Sequence, residues 1–158
     1  TSCFGWRYNP AIKTQDFHTG IDLAIPIGTE IKAAEDGEVI KLMNGDGSIP
    51  IGDYGNYVIL KHNFNGATYY TLYAHLKCSG VKVNVGDKVK KGDVIALSGG
   101  TDNCKGTSTG AHLHFEIREG TNNQRSSINP CLLLENCNCD ISCEKYSQKD
   151  DPNKCPKS

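Results

Sequence analysis

His112-Leu113-His114-Phe115-Glu116-Ile117-Arg118 alternates polar and apolar side chains along its whole length. A period of two belongs to a β-strand with one face on a core, because successive side chains leave a pleated backbone on opposite sides. Leu113 then points into the core, while the imidazoles of His112 and His114 share the other face and open on a common cavity. Similar short runs recur N-terminal to this strand, at residues 20–24, 30–33, 38–42, 57–62, 67–76, 81–83 and 94–98. Asp36-Gly37, Asn44-Gly45, Asp46-Gly47 and Asn65-Gly66 punctuate them, and such pairs favour the positive φ of tight hairpin turns. No window of about eleven residues carries a 3.6-residue hydrophobic period with a cap at each end. The expected fold is all-β: mainly antiparallel sheets in a sandwich-like or open-barrel-like arrangement. Residues 44–55 and 99–110 are Gly-rich and read as long active-site loops beside the strands that carry His75 and His112.

The chain has 158 residues, of which 37% are hydrophobic, enough for one ordinary domain with a core. Seventeen basic against 18 acidic residues leave a net charge of -1. That balance gives no electrostatic reason to expect nucleic acid or an anionic membrane as partner. No apolar run approaches the roughly 18 residues that cross a bilayer, so no membrane insertion is expected. Thr1 opens the chain with neither a Met nor a secretory leader, which fits both a processed export product and a domain of something larger.

The two unusual counts are eight Cys and five His. Cys3, Cys78 and Cys104 lie in the body, while Cys131, Cys137, Cys139, Cys143 and Cys155 crowd the end. We expect residues 1–130 to form the domain and 131–158 a disulfide-stapled extension. The paired C-x-x-C knuckles of a zinc ribbon are absent from that tail, so its cysteines read as disulfides and point to an oxidising compartment.

The histidines carry the chemistry. His18-Thr19-Gly20-Ile21-Asp22 sets an imidazole and a carboxylate four apart, on one face if the chain is extended. His112-x-His114 adds two imidazoles, and His75 ends the aromatic-rich run Tyr69-Tyr70-Thr71-Leu72-Tyr73-Ala74-His75. Two imidazoles and one carboxylate suffice to hold a catalytic zinc with a position left for water. Water held there becomes acidic enough to supply hydroxide near pH 7. His62 stands beside the Asn65-Gly66 turn, where a surface position or a local hydrogen bond is expected. The string H-E-x-x-H is absent, which excludes helical zincin chemistry.

At these residues the chain resembles the lysostaphin-type, LytM-like zinc endopeptidases of metallopeptidase family twenty-three, which cut stem or cross-bridge peptides of bacterial peptidoglycan. The resemblance runs through Phe4-Gly5-Trp6-Arg7, His18-Thr19-Gly20-Ile21-Asp22, Gly55-Asn56-Tyr57-Val58 and Tyr73-Ala74-His75-Leu76. It continues through residues 85–92 and Ser108-Thr109-Gly110-Ala111-His112-Leu113-His114-Phe115-Glu116, and ends near Asn129-Pro130. It implies a duplicated-hybrid-motif β fold and one Zn2+ per chain held by His18, Asp22 and His114. His75 and His112 are then the two non-ligand catalytic histidines, with His112 favoured as base because it neighbours His114. It also implies a peptidoglycan peptide as partner and an extracytoplasmic location: secreted, facing the cell wall, or on a phage particle. Some relatives lose ligands and survive as silent wall-binding or activating scaffolds. Here all five positions are filled, and a buried His/Asp cluster with no partner is costly. A biotinyl or lipoyl carrier module could contain residues 83–95, but it needs a lysine on its own hairpin and has no use for His-x-His. If the histidines converge, Cys78 and Cys104 should pair across the cleft and Cys3 should pair with a tail cysteine.

Overall fold

The computed structural model describes residues 2–9, 13–48, 52–100, 108, 110–137 and 139. Among them the chain forms strands β1 (Gly5–Asn9), β2 (Thr14–His18), β3 (Ile21–Leu23), β4 (Glu30–Lys32), β5 (Gly37–Met43) and β6 (Asn56–Phe64). There follow β7 (Ala67–Val81), β8 (Lys88–Val89), β9 (Val94–Ser98), β10 (Leu113–Glu119) and β11 (Ser127–Ile128). The described residues contain no α-helix; two single 3-10 turns span Gln124–Ser126 and Pro130–Leu132. The all-β reading therefore holds.

The main sheet is antiparallel, in the order β11-β10-β7-β6-β5-β8. Strand β9 joins β7 and carries β4, while β3 pairs with the first half of β10 along the edge that β11 takes further on. Strands β1 and β2 make a separate hairpin, in register from Gly5 opposite His18 to Asn9 opposite Thr14.

Period-two alternation sorts the side chains. Val58, Leu60, Tyr73, Leu113, Phe115 and Ile117 enter one core with Ile21, Ile31, Val39 and Ile95. Burying each large apolar side chain contributes about 1.5–3 kcal/mol. The opposite face of the same strands carries a smaller cluster of Ile59, Leu72 and Ala74 under Tyr54, Tyr57 and Tyr70. His114, Glu116 and Arg118 share the parity opposite to Leu113, Phe115 and Ile117.

Several expectations change. His62 is not at the surface: β6 runs on to Phe64, and parity places His62, 3% exposed, with Val58 and Leu60. It is held by the Asp36 carbonyl at 2.8 Å and Thr71 Oγ1 at 2.7 Å. Strand β7 absorbs Val81, so no separate strand forms at 81–83. His18 and Asp22 do not share one extended run; they lie on β2 and β3, with a corner between them. Gly20 makes that corner possible, since a Cβ there would stand 2.2 Å from the Phe115 carbonyl oxygen. Cys3 bonds a tail cysteine as expected, Cys139, and Cys131 bonds Cys137. Cys78 is disulfide-bonded, and its expected partner Cys104 lies outside the described residues, as do Cys143 and Cys155.

Candidate active site

Strand pairing brings the predicted metal-ligating residues together. His114 stands directly opposite Asp22 in the β10–β3 register, and His18 closes β2 just before the Gly20 corner. Three atoms converge there: His18 Nε2 lies 3.1 Å from Asp22 Oδ1, His114 Nδ1 lies 3.0 Å from the same oxygen, and the two nitrogens are 3.0 Å apart. The far side of each ring faces an acceptor. His18 Nδ1 donates to the Cys3 carbonyl at 2.8 Å, and His114 Nε2 donates to Glu116 Oε1 at 3.0 Å. With those protons assigned from their partners, both inward nitrogens present lone pairs beside a carboxylate. Three acceptors around one point repel one another unless a cation sits among them. Ligand atoms about 2.0–2.1 Å from a tetrahedral zinc lie about 3.3 Å apart, close to the spacing seen. The donor set therefore fits such an ion.

The charges agree. Burial opposes ionisation of Asp22, yet its close contacts with His114 and His18 hold its carboxyl well below the ordinary range. Burial likewise opposes a second proton on His114, but its hydrogen bonds to Asp22 and Glu116 outweigh that and raise its pKa. A metal cation would take the place of that proton. Cys131, Cys137 and Cys139 also lie close enough to hold an ion, but their sulfurs are committed to disulfides.

His75 and His112 face the same point from the other side. Plain alternation on β7 would send His75 to the core with Tyr73. Instead β6 and β7 shift register: Tyr57 opposes Ala74 and Asn56 opposes Leu76, which leaves His75 as the extra residue of a bulge. Its φ of +57° is uncommon for any residue that carries a Cβ. Backbone bonds hold it there: its N–H reaches the Tyr54 carbonyl at 2.9 Å, and its carbonyl accepts from Gly99 and Gly100 at 2.9 and 3.1 Å. The His75 ring stands 4.7 Å from that of His112 and 5.9 Å from that of His114, and its buried Nδ1 has no hydrogen-bond partner among the described residues. Burial, with His112 and His114 nearby, pushes its pKa down to about 3, so it is neutral at physiological pH. His112 donates from Nδ1 to the Gly110 carbonyl at 2.9 Å, which turns the lone pair of Nε2 inward, 3.8 Å from Asp22 Oδ1.

Sequence reasoning missed the supports. Glu116, wholly buried, accepts from Tyr54 at 2.6 Å, Thr19 at 2.7 Å and Arg118 Nε at 2.8 Å besides His114. Burial would raise its pKa, but His114 and Arg118 draw it down to about 2. Its parity with His114 on one strand was the available signal. Arg7 Nη1 reaches Asp22 Oδ2 at 3.2 Å, and nothing in the spacing of the sequence announces it.

Residues 16–130 match the model of peptidase family M23. The chain belongs to peptidase family M23. It is 42% identical over 118 residues to the DD-carboxypeptidase/endopeptidase Mpg of Neisseria meningitidis, covering 75% of this chain and 24% of Mpg. It is 40% identical over 111 residues to the peptidoglycan DD-endopeptidase ShyA of Vibrio cholerae, covering 70% of this chain and 22% of ShyA. Its fold matches the catalytic domain of the antimicrobial peptidase lysostaphin from Staphylococcus simulans with a TM-score of 0.64 and 27% identity, over 84% of this chain and 87% of that domain. The chain spans between 18% and 31% of the length of curated relatives such as these. M23 membership implies a metal, and the five expected positions all fall within the matched stretch. Among the described residues no helix is long and apolar enough to cross a membrane.

Proposed function

We propose that this M23 domain is a zinc endopeptidase that hydrolyses peptide bonds in bacterial peptidoglycan. One observation carries the reading: His18 Nε2, Asp22 Oδ1 and His114 Nδ1 converge within 3.0–3.1 Å while His75 and His112 stand beside them. His18, Asp22 and His114 would hold one zinc per chain. Zinc supplies Lewis acidity there, making water a source of hydroxide near pH 7 and polarising a carbonyl. His112 accepts the attacking water's proton at Nε2, the nitrogen its Gly110 bond leaves free, and passes it to the leaving amine. His75, neutral, donates from its ring N–H to the carbonyl oxygen as the carbon becomes tetrahedral.

Peptidoglycan as substrate is supported by the names of Mpg and ShyA. The disulfides fit an extracytoplasmic site of action, and the length of the relatives fits a domain carried in a longer protein. We read residues 1–130 as the catalytic unit and 131–158 as an extension tied to it. The test is digestion of purified sacculi from bacteria with directly linked and glycine-bridged stems, with new termini identified by mass. Soluble fragments with newly freed amines, lost on chelation and restored by zinc, are expected. A protein that binds one zinc per chain yet releases no fragment from any sacculus is a scaffold, and the enzyme reading falls.

A further inference from the structure

We propose that the N-terminal arm, residues 2–7, is a positioning element of the metal centre, and that the Cys3–Cys139 disulfide sets its grip on His18 and Asp22. The inference rests on reading His18, Asp22 and His114 as metal ligands.

The arm touches two of those three residues in separate ways. The Cys3 carbonyl accepts from His18 Nδ1 at 2.8 Å, which commits the other nitrogen to the inward side. Ser2 pairs with Asp22 through two backbone bonds: Asp22 N–H to the Ser2 carbonyl at 2.8 Å and Ser2 N–H to the Asp22 carbonyl at 3.2 Å. Asp22 is thus flanked by His114 on one side of its strand and Ser2 on the other. Arg7 binds Asp22 Oδ2 and also Ser2 Oγ, so the second carboxylate oxygen is occupied and Oδ1 is turned to the centre.

The arm is weakly tied to the rest. Strand β1 pairs with β2 and not with the main sheet, and the arm's buried apolar anchor is Phe4, edge-on to Phe17 at 5.1 Å. Its covalent anchor is the bond from Cys3 to Cys139, which joins residues 136 positions apart and packs against the core beside Leu134 and Cys137. Both cysteines lie outside residues 16–130, the stretch matched by the family model. The arm that contacts His18 and Asp22 is thus fastened to the far end of the chain. A thiol reductant would cleave the bond by giving two electrons and two protons, leaving two thiols and an arm free of its anchor. Metal loading is then linked to oxidation: loose in a reducing compartment, tight in an oxidising one.

The test compares full-length protein with the double variants C3S/C139S and C131S/C137S, the second removing a bridge that spans six positions within the C-terminal segment. Zinc affinity is read by competition with a chromophoric chelator, and hydrogen exchange at the Asp22 amide reads the arm directly. C3S/C139S should bind zinc about 10–100-fold more weakly, the usual cost of an outer partner, and its Asp22 amide should exchange faster. C131S/C137S should match the parent in both. A folded C3S/C139S with unchanged affinity and unchanged exchange overturns the proposal. Should that variant fail to fold, Ser2→Pro decides, since it deletes one Ser2–Asp22 bond and keeps every cysteine: weaker zinc binding sustains the proposal and parental affinity overturns it. Failure of the ligand assignment looks different, because the parent itself would then hold no zinc.

Discussion

The two imidazole pairs that meet beside Asp22 are mounted in opposite ways. His18 and His114 sit within strand ladders, and each has its outer nitrogen tied to an acceptor, the Cys3 carbonyl or the Glu116 carboxylate. His75 rides on a bulge with positive φ, and His112 stands just before β10, fixed to its own loop through Gly110. One pair has every nitrogen directed by the frame; the other keeps a nitrogen uncommitted. The difference matches what each proposed task requires. A metal ligand needs a lone pair that does not wander, whereas a proton carrier needs a site that can gain and lose a hydrogen.

The largest expected effect comes from breaking the pinned pair. His114→Ala should abolish zinc binding and peptidase activity together, beyond the roughly 100-fold that loss of an outer partner costs; metal analysis of the purified variant checks it. His112→Ala and His75→Ala should instead keep one zinc per chain while turnover falls about 100- to 10,000-fold. If both lose zinc as His114→Ala does, the division of labour between the pairs collapses. Glu116→Gln should lower zinc affinity about 10-fold, with turnover largely restored at saturating zinc, because the partner is weakened and no ligand is removed.

The smallest effect is on acid stability of the metal-free protein. Glu116 drops from an ordinary 4.5 to about 2 in the fold, so its carboxylate stabilises the native state above its unfolded pKa. That contribution is lost as pH falls from 4.5 through about 2. Thermal melts of Glu116→Gln across this range should show a shallower acid decline. It should not be flat, since Asp22 is depressed as well.

What could be read from the chain alone follows from range. The strand carrying His114 is written in local alternation, and Val94–Ser98 matches its expected bounds for the same reason. The hairpin β1–β2 escaped because its aromatic residues, Trp6, Tyr8 and Phe17, are all at least partly exposed and Tyr8 is 61% exposed, which blurs the pattern. The bulge at His75 arises from pairing between β6 and β7, which no count along one strand contains. Alternation even places His75 on the wrong face, although its identity marks it as functional. His62 misled in the other direction: a nearby Asn-Gly turn suggested the surface, while parity with Val58 and Leu60 buries it. Cys3 acts on His18 through a backbone carbonyl, and a carbonyl has no signature in the sequence.

The bond between Cys3 and Cys139 also has a mechanical meaning. It closes a covalent ring around the eleven strands of the described residues, and the chain enters and leaves that ring at one point. Tension applied before Cys3 and after Cys139 runs from one sulfur to the other and bypasses the strands between them, save where Ser2 pairs with Asp22. A domain pulled from both ends would be loaded first at Cys3 and Cys139, and the force would reach Asp22 through its two backbone bonds to Ser2.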